Sequence, residues 1–178
     1  MTINLIVYGS PAPQGSKKFV GMVNGHGMMV EMSKKVKPWR EDVKAAAERI
    51  RAGASPIDSP LVVRMVFTMP KPTSAPKRRR TWPMRTPDLS KLCRSTEDAL
   101  TQAGIWKDDA RVVEYERLAK VYPGEDPEAL EAPGVRITIR AATEMANVDA
   151  IKAKWVDLFS STESKVDVRT TPDKVLQP

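Results

Sequence analysis

Cysteine and histidine are almost missing: Cys93 and His26 are the only ones among 178 residues. A single cysteine forms no internal disulfide and builds no multi-cysteine zinc site. With one histidine there is no imidazole-rich metal centre either, so any metal would have to be held by oxygen. Aromatic residues amount to 6%. The aromatic-rich motifs with which RNA-reading modules stack bases are not there, which makes an RNA-binding module the weakest of the functional alternatives. No apolar run approaches the ~20 residues of a membrane span, and the first residues lack the basic-then-apolar pattern of a secretory signal. The expectation is no membrane contact and a reducing, cytoplasmic compartment.

Positive charge is what the chain has in excess. Lys and Arg number 29 against 22 Asp and Glu, a net charge of +7. That balance favours a polyanionic partner such as nucleic acid. The length suits one domain with an appendage, and 41% hydrophobic residues are enough for a core.

Residues 3–9 read as a strand closed by Gly9. Residues 11–18 read as a Pro/Gly-bounded loop whose Gly15, Ser16, Lys17 and Lys18 can approach a phosphate; the plain alternative is an ordinary surface loop. The apolar runs 19–23 and 28–32 flank Asn24-Gly25, a strong hairpin signal with His26 at its tip. Pro38 opens a helix with Trp39, Val43, Ala46, Ala47 and Ile50 on its apolar side and Gly53 past its end. Residues 61–69 form a long apolar strand, expected in the middle of a sheet. Strands are also expected over 111–122 and 134–140, joined by an acidic loop with Glu125, Asp126, Glu128 and Glu131. The domain is expected to span 1–141. A C-terminal extension, 142–178, would carry a helix at about 144–159 and then a disordered polar tail.

Two neighbouring stretches carry the functional signal. Residues 70–87 hold five prolines and the cations Lys71, Lys77, Arg78, Arg79, Arg80 and Arg85, with no acid. An extended, mobile loop with consecutive cations beside Trp82 suits a nucleic-acid backbone, with an aromatic to stack or wedge; the alternative is a solvated basic linker. Acids follow at once. Asp88 stands at the start of a helix on which Leu89, Leu92, Thr96, Ala99 and Leu100 recur, stopped by Gly104. Asp108-Asp109 then precede a strand. Carboxylates at a helix start and at a strand start can meet and hold a hard cation such as Mg²⁺; equally, they can be a helix cap and a solvated turn.

The chain resembles the RusA family of phage-type Holliday-junction resolvases from about Ile3 to Arg140. The similarity lies in Pro13-Gln14-Gly15-Ser16-Lys17, in Pro38-Trp39-Arg40, and above all in Pro87-Asp88-Leu89, Asp98-Ala99-Leu100, Gly104-Ile105-Trp106 and Asp108 to Val113, at fixed spacing. The resemblance implies an α+β fold, a small mixed β-sheet with two main helices packed on it, assembled as a homodimer. It implies Mg²⁺-dependent cleavage of four-way DNA junctions by paired nicks in recombination and repair, with Mn²⁺ as a possible substitute and no small-molecule cofactor. The cytoplasm would be that of a bacterium or a phage-infected host. Matched position by position, Asp88 and Asp109 are the catalytic, metal-holding carboxylates. Asp108 stands beside the second, and Arg94 takes the place of a basic residue needed for catalysis. The DNA-binding set would be Lys17, Lys18, Lys77, Arg78, Arg79, Arg80, Trp82, Arg85 and Lys91.

One position departs from the pattern. The family has a second carboxylate two residues after the first, and here that position is Ser90. Ser90, Arg94 and Glu97 lie on one helix face, at i, i+4 and i+7. Three possibilities stay open: Glu97 is a substituted ligand, Ser90 binds metal through water, or the site is weakened or dead. The expected function is a Mg²⁺-dependent endodeoxyribonuclease resolving four-way junctions. The alternatives are a non-catalytic branched-DNA-binding protein and a nuclease acting on flaps and forks.

Overall fold

The computed structural model describes residues 2–142 apart from 16, 24–25, 32–33 and 77. The expected helix at 144–159 and the tail after it lie outside the described residues. In chain order the elements are β1 (Thr2–Tyr8), β2 (Lys17–Val23), β3 (His26–Glu31), α1 (Val36–Arg51), β4 (Leu61–Thr68), α2 (Leu89–Gln102), a 3₁₀ turn (Asp109–Arg111), β5 (Val112–Val121) and β6 (Gly134–Ala141). The class is α+β, as expected.

The main sheet is mixed, in the order β1-β6-β4-β5. β6 runs antiparallel to both its neighbours, so that Ile137 stands opposite Leu5 on one side and Met65 on the other. β4 and β5 are parallel, and the crossover between them carries α2. This explains the composition of β4: an interior strand with both faces covered reads as a nearly continuous apolar run. β1 is an edge strand and alternates strictly, with Ile3, Leu5 and Val7 buried and the residues between them exposed.

Helices α1 and α2 pack together, and their apolar sides join one face of the sheet in a single core. Trp39, Val43, Leu92 and Leu100 meet Leu5, Val63, Met65, Phe67 and Ile137 there. Trp39 Nε1–H donates to Thr96 Oγ1 at 3.3 Å, which ties the helices across the core. The opposite face of β4 carries Val62, Arg64, Val66 and Thr68. There the acidic loop expected at 122–133 returns along the sheet: Leu130 N–H donates to Thr68 Oγ1 at 2.8 Å, and Arg64 pairs with Glu128 of that loop at 2.5 Å as well as with Glu116 on β5 at 3.2 Å.

Several expected boundaries move, each for a physical reason. α1 begins at Val36, before Pro38, because the first helical N–H groups have no intrahelical partner and a proline there sacrifices nothing. Ile50 is 43% exposed, off the buried side in the last turn. Lys17 and Lys18 belong to β2 and not to the preceding loop, and His26 is the first residue of β3, opposite Val23. Gly104 does stop α2: at φ +71° it lets its own N–H reach Thr101 O at 2.9 Å while Ile105 N–H reaches Leu100 O at 3.1 Å.

Candidate active site

The site is built on the two ends of the β4–β5 crossover. Asp88 occupies the N-cap position of α2 in extended backbone, but its carboxylate accepts no hydrogen bond from the helix. Of the two roles that the sequence allows this residue, the side-chain cap is therefore not the one it takes. The carboxylate faces Lys91 one turn on, at 2.9 Å, with both side chains about half exposed. An exposed pair of this kind contributes at most about 1 kcal/mol, so it yields readily to a stronger partner. The segment that delivers Asp88 is fixed from β5: Lys120 Nζ donates to Arg85 O at 3.0 Å and to Pro87 O at 2.8 Å. Sequence reasoning missed Lys120, since nothing local marks which strand residue reaches across to a loop 33 residues away.

Asp108 and Asp109 share a turn but not a role. Asp108 caps the 3₁₀ turn by accepting from Ala110 N–H at 2.8 Å. Asp109, the next residue, is exposed and makes no side-chain hydrogen bond or ion pair among the described residues.

Glu97 is the less expected member. It is partly buried and is not the exposed helix acid paired with Arg94 that its spacing allows. Instead the Tyr115 hydroxyl on β5 donates to its carboxylate, and Cys93 Sγ lies 3.3 Å from the same hydroxyl. Burial pushes the Glu97 carboxyl above its ordinary range. The bond from Tyr115 opposes that shift, and the charges of Asp109 and Asp98 reinforce it. Glu97 thus faces the field of Asp109. Burial likewise pushes the Cys93 thiol up to about 12, so it stays a neutral thiol and not a nucleophile. Tyr115 too was invisible as a site residue; only its place on the strand after Asp109 hinted at it.

Ser90 and Arg94 are exposed on α2, and neither makes a side-chain hydrogen bond or ion pair among the described residues. Among those residues, no three of Asp, Glu, His or Cys are grouped closely enough to hold a metal ion. The five candidate ligands Asp88, Ser90, Glu97, Asp108 and Asp109 are therefore not gathered into one cluster: Asp88 is turned to Lys91, Asp108 to its own turn. The donor chemistry nevertheless suits a hard divalent cation. All donors are oxygen, and the half-buried Glu97 and the unpaired Asp109 are like charges that a cation between them would relieve.

The basic segment is docked, not free. Lys71 pairs with Glu125, whose carboxylate also accepts from Thr81 N–H at 2.9 Å. Arg80 pairs with Asp126 at 3.1 Å and lies over the Trp82 ring, 4.0 Å from its centroid. The acidic loop thus neutralises part of the run expected to meet a phosphate backbone. Arg78 and Arg79 are exposed and unpaired among the described residues, and Trp82 is 55% exposed beneath Arg80. Lys77 lies outside the described residues. The loop ahead of β2 is pinned to α2, where Gln14 N–H donates to Lys91 O at 3.0 Å and Ser95 Oγ to Ala12 O at 2.6 Å.

No helix among the described residues is long and apolar enough to cross a membrane. No curated protein matches the chain significantly. A family model described as endodeoxyribonuclease RusA matches residues 9–140, which include both site aspartates, Glu97, Arg94 and most of the sheet. On that match over most of its length, the chain belongs to the RusA family of endodeoxyribonucleases, enzymes whose substrate is DNA.

Proposed function

We propose that this chain is a Mg²⁺-dependent nuclease that resolves four-way DNA junctions by paired nicks, acting in the cytoplasm as a homodimer. The observation that carries the reading is the placing of Glu97: a half-buried carboxylate on α2 held by the Tyr115 hydroxyl of the strand that follows Asp109, with its charge disfavoured by burial. Such an arrangement costs stability and is what a cation-binding, catalytic site requires. Glu97 supplies the charge that Ser90 lacks.

Asp88, Asp109 and Glu97 would hold the cation. Bound there, Mg²⁺ would neutralise charge on the scissile phosphate and acidify a water for attack. The chain's own residues do the rest. Arg94, paired with no acid among the described residues, would take a phosphate oxygen pair in a bidentate grip and so fix the substrate strand along α2. Lys120 keeps Pro87, and with it Asp88, in position. Arg78, Arg79 and Trp82 present charge and a ring face to the arms. Paired nicks need two sites related by a two-fold, hence the homodimer.

The lack of a three-carboxylate group among the described residues favours a second reading, a branched-DNA-binding protein without cleavage. A panel of four-way junction, flap, fork and plain duplex separates the readings. With Mg²⁺ the unmutated protein should nick the four-way junction symmetrically, and Asp88→Asn and Asp109→Asn should each lose about 10³-fold, the scale of removing one charge-stabilising group. Tight junction binding with no cleavage in Mg²⁺ or Mn²⁺ would establish the second reading; cleavage of flaps and forks alone would replace the junction by those substrates.

A further inference from the structure

A cavity of about 410 Å³ opens beside the start of α2, and none of the roles above uses it. Its walls come from the loop after β1, from the segment 69–87 and from Tyr122, just past β5. Six of its lining residues are prolines, whose fixed φ makes the wall stiff and formed in advance. Met69 and Tyr122, both nearly buried, close one side. Lys35 and Arg85 also line it, and no lining residue is acidic. Pro87, part of the wall, directly precedes Asp88, and its carbonyl is held by Lys120.

We infer that this cavity receives an unstacked nucleobase of the DNA substrate, with the attached phosphate held by Lys35 and Arg85. The inference rests on the reading of the chain as a branched-DNA nuclease and names the substrate element that the site grips. An apolar wall flanked by cations and free of acids matches a flat, uncharged base carrying a phosphate. The hydroxyls of Ser10, Thr86 and Tyr122 line the same space and make no hydrogen bond among the described residues, so they are available to the edge of a base. Bases at a branch point are the least costly to unstack, since their pairing is already interrupted. Seating one here would place the neighbouring phosphodiester beside Asp88, which gives the enzyme a means of measuring the cut from the branch.

The test uses a four-way junction carrying 2-aminopurine at single branch-point positions, bound by the full chain in EDTA so that nothing is cut. At one position the fluorescence should rise several-fold, because a proline wall does not stack and quench as neighbouring bases do. An abasic nucleotide at that position keeps the phosphate and should weaken binding about tenfold, the scale of burying one apolar ring face. Ser10→Trp and Pro72→Trp, both at exposed positions on the rim, fill the cavity; each should abolish the rise and the sensitivity to the abasic site, with unchanged circular dichroism. No rise at any branch-point position, or a rise that survives both variants, overturns the inference. Cleavage of the unmodified junction, run in parallel, reports separately on the nuclease reading: cleavage without any fluorescence change defeats only the base-binding cavity.

Discussion

Tyr115 on β5 donates its hydroxyl proton to the Glu97 carboxylate on α2. The contact joins the strand that follows Asp109 to the helix that follows Asp88, and it fixes a carboxylate that burial makes expensive to ionise. A carboxyl placed where its ionisation is disfavoured signals function over stability, and the two can be separated by experiment.

Glu97 has a raised carboxyl in the folded protein, from an ordinary value of 4.5. Its contribution to stability is therefore fully present below that ordinary value and is lost as the pH climbs through the raised one. Glu97→Gln keeps an acceptor for Tyr115 and removes the titration. It should melt with the unmutated protein at about pH 4 and at or above it at about pH 8, by roughly 2–4 °C for each kcal/mol relieved. Melting curves across that range check this. A variant that melts lower at every pH would make Glu97 a structural residue.

Ser90→Asp should compensate for the loss of Glu97. If Glu97 supplies the charge absent at position 90, Glu97→Gln slows junction cleavage at least about 10²-fold, and the double variant Ser90→Asp with Glu97→Gln runs at least tenfold faster than Glu97→Gln alone, about 1.4 kcal/mol of transition-state stabilisation. Single-turnover rates decide the matter. No recovery would mean that the two positions do not serve one ligand site.

Arg78 and Arg79 should contribute more to DNA affinity than Arg80, although the three are consecutive. Arg80 is engaged by Asp126 and by Trp82; the other two are not engaged among the described residues. Junction affinity measured against salt concentration should lose about 0.9 in logarithmic slope for each phosphate contact removed by Arg78→Ala or Arg79→Ala. Arg80→Ala should change the slope by less. Equal effects at all three positions would show that the acidic loop releases Arg80 on binding.

Lys120→Met should slow cleavage without weakening junction binding. The ammonium holds the carbonyls of Arg85 and Pro87, so its loss frees the segment that aims Asp88. A tenfold fall in single-turnover rate, an unchanged Kd and a loss of about 1 kcal/mol in stability are expected. A lower affinity at an unchanged rate would instead place Lys120 on the DNA.

Much of this was legible along the chain. The apolar run at 61–68 declared an interior strand because covering both faces of β4 requires apolar residues at every second position on each. Gly104 declared the end of α2 because only a residue tolerant of positive φ closes that turn cheaply. What escaped was contact between elements. No local pattern says that Tyr115 meets Glu97 or that Lys120 reaches Pro87, since strand periodicity assigns a face but not the neighbour across it. The alternative role of Asp88 as a side-chain cap is not taken up, because a lysine one turn on offers its carboxylate a charge instead. The docking of the basic segment did have a signal that could have been used: the cations of 70–87 and the acids of 122–133 are the two most one-sided loops in the chain.

In the proposed function, a cation held with the help of Glu97 drives cleavage of a branched DNA. The most direct test is the rate of four-way junction nicking against Mg²⁺ concentration for the unmutated protein and for Glu97→Gln. The account predicts symmetrical paired nicks that saturate with Mg²⁺ in the former, and in the latter a fall of at least about 10²-fold with a higher Mg²⁺ requirement. Nicking by Glu97→Gln at the same rate and the same Mg²⁺ dependence would contradict it.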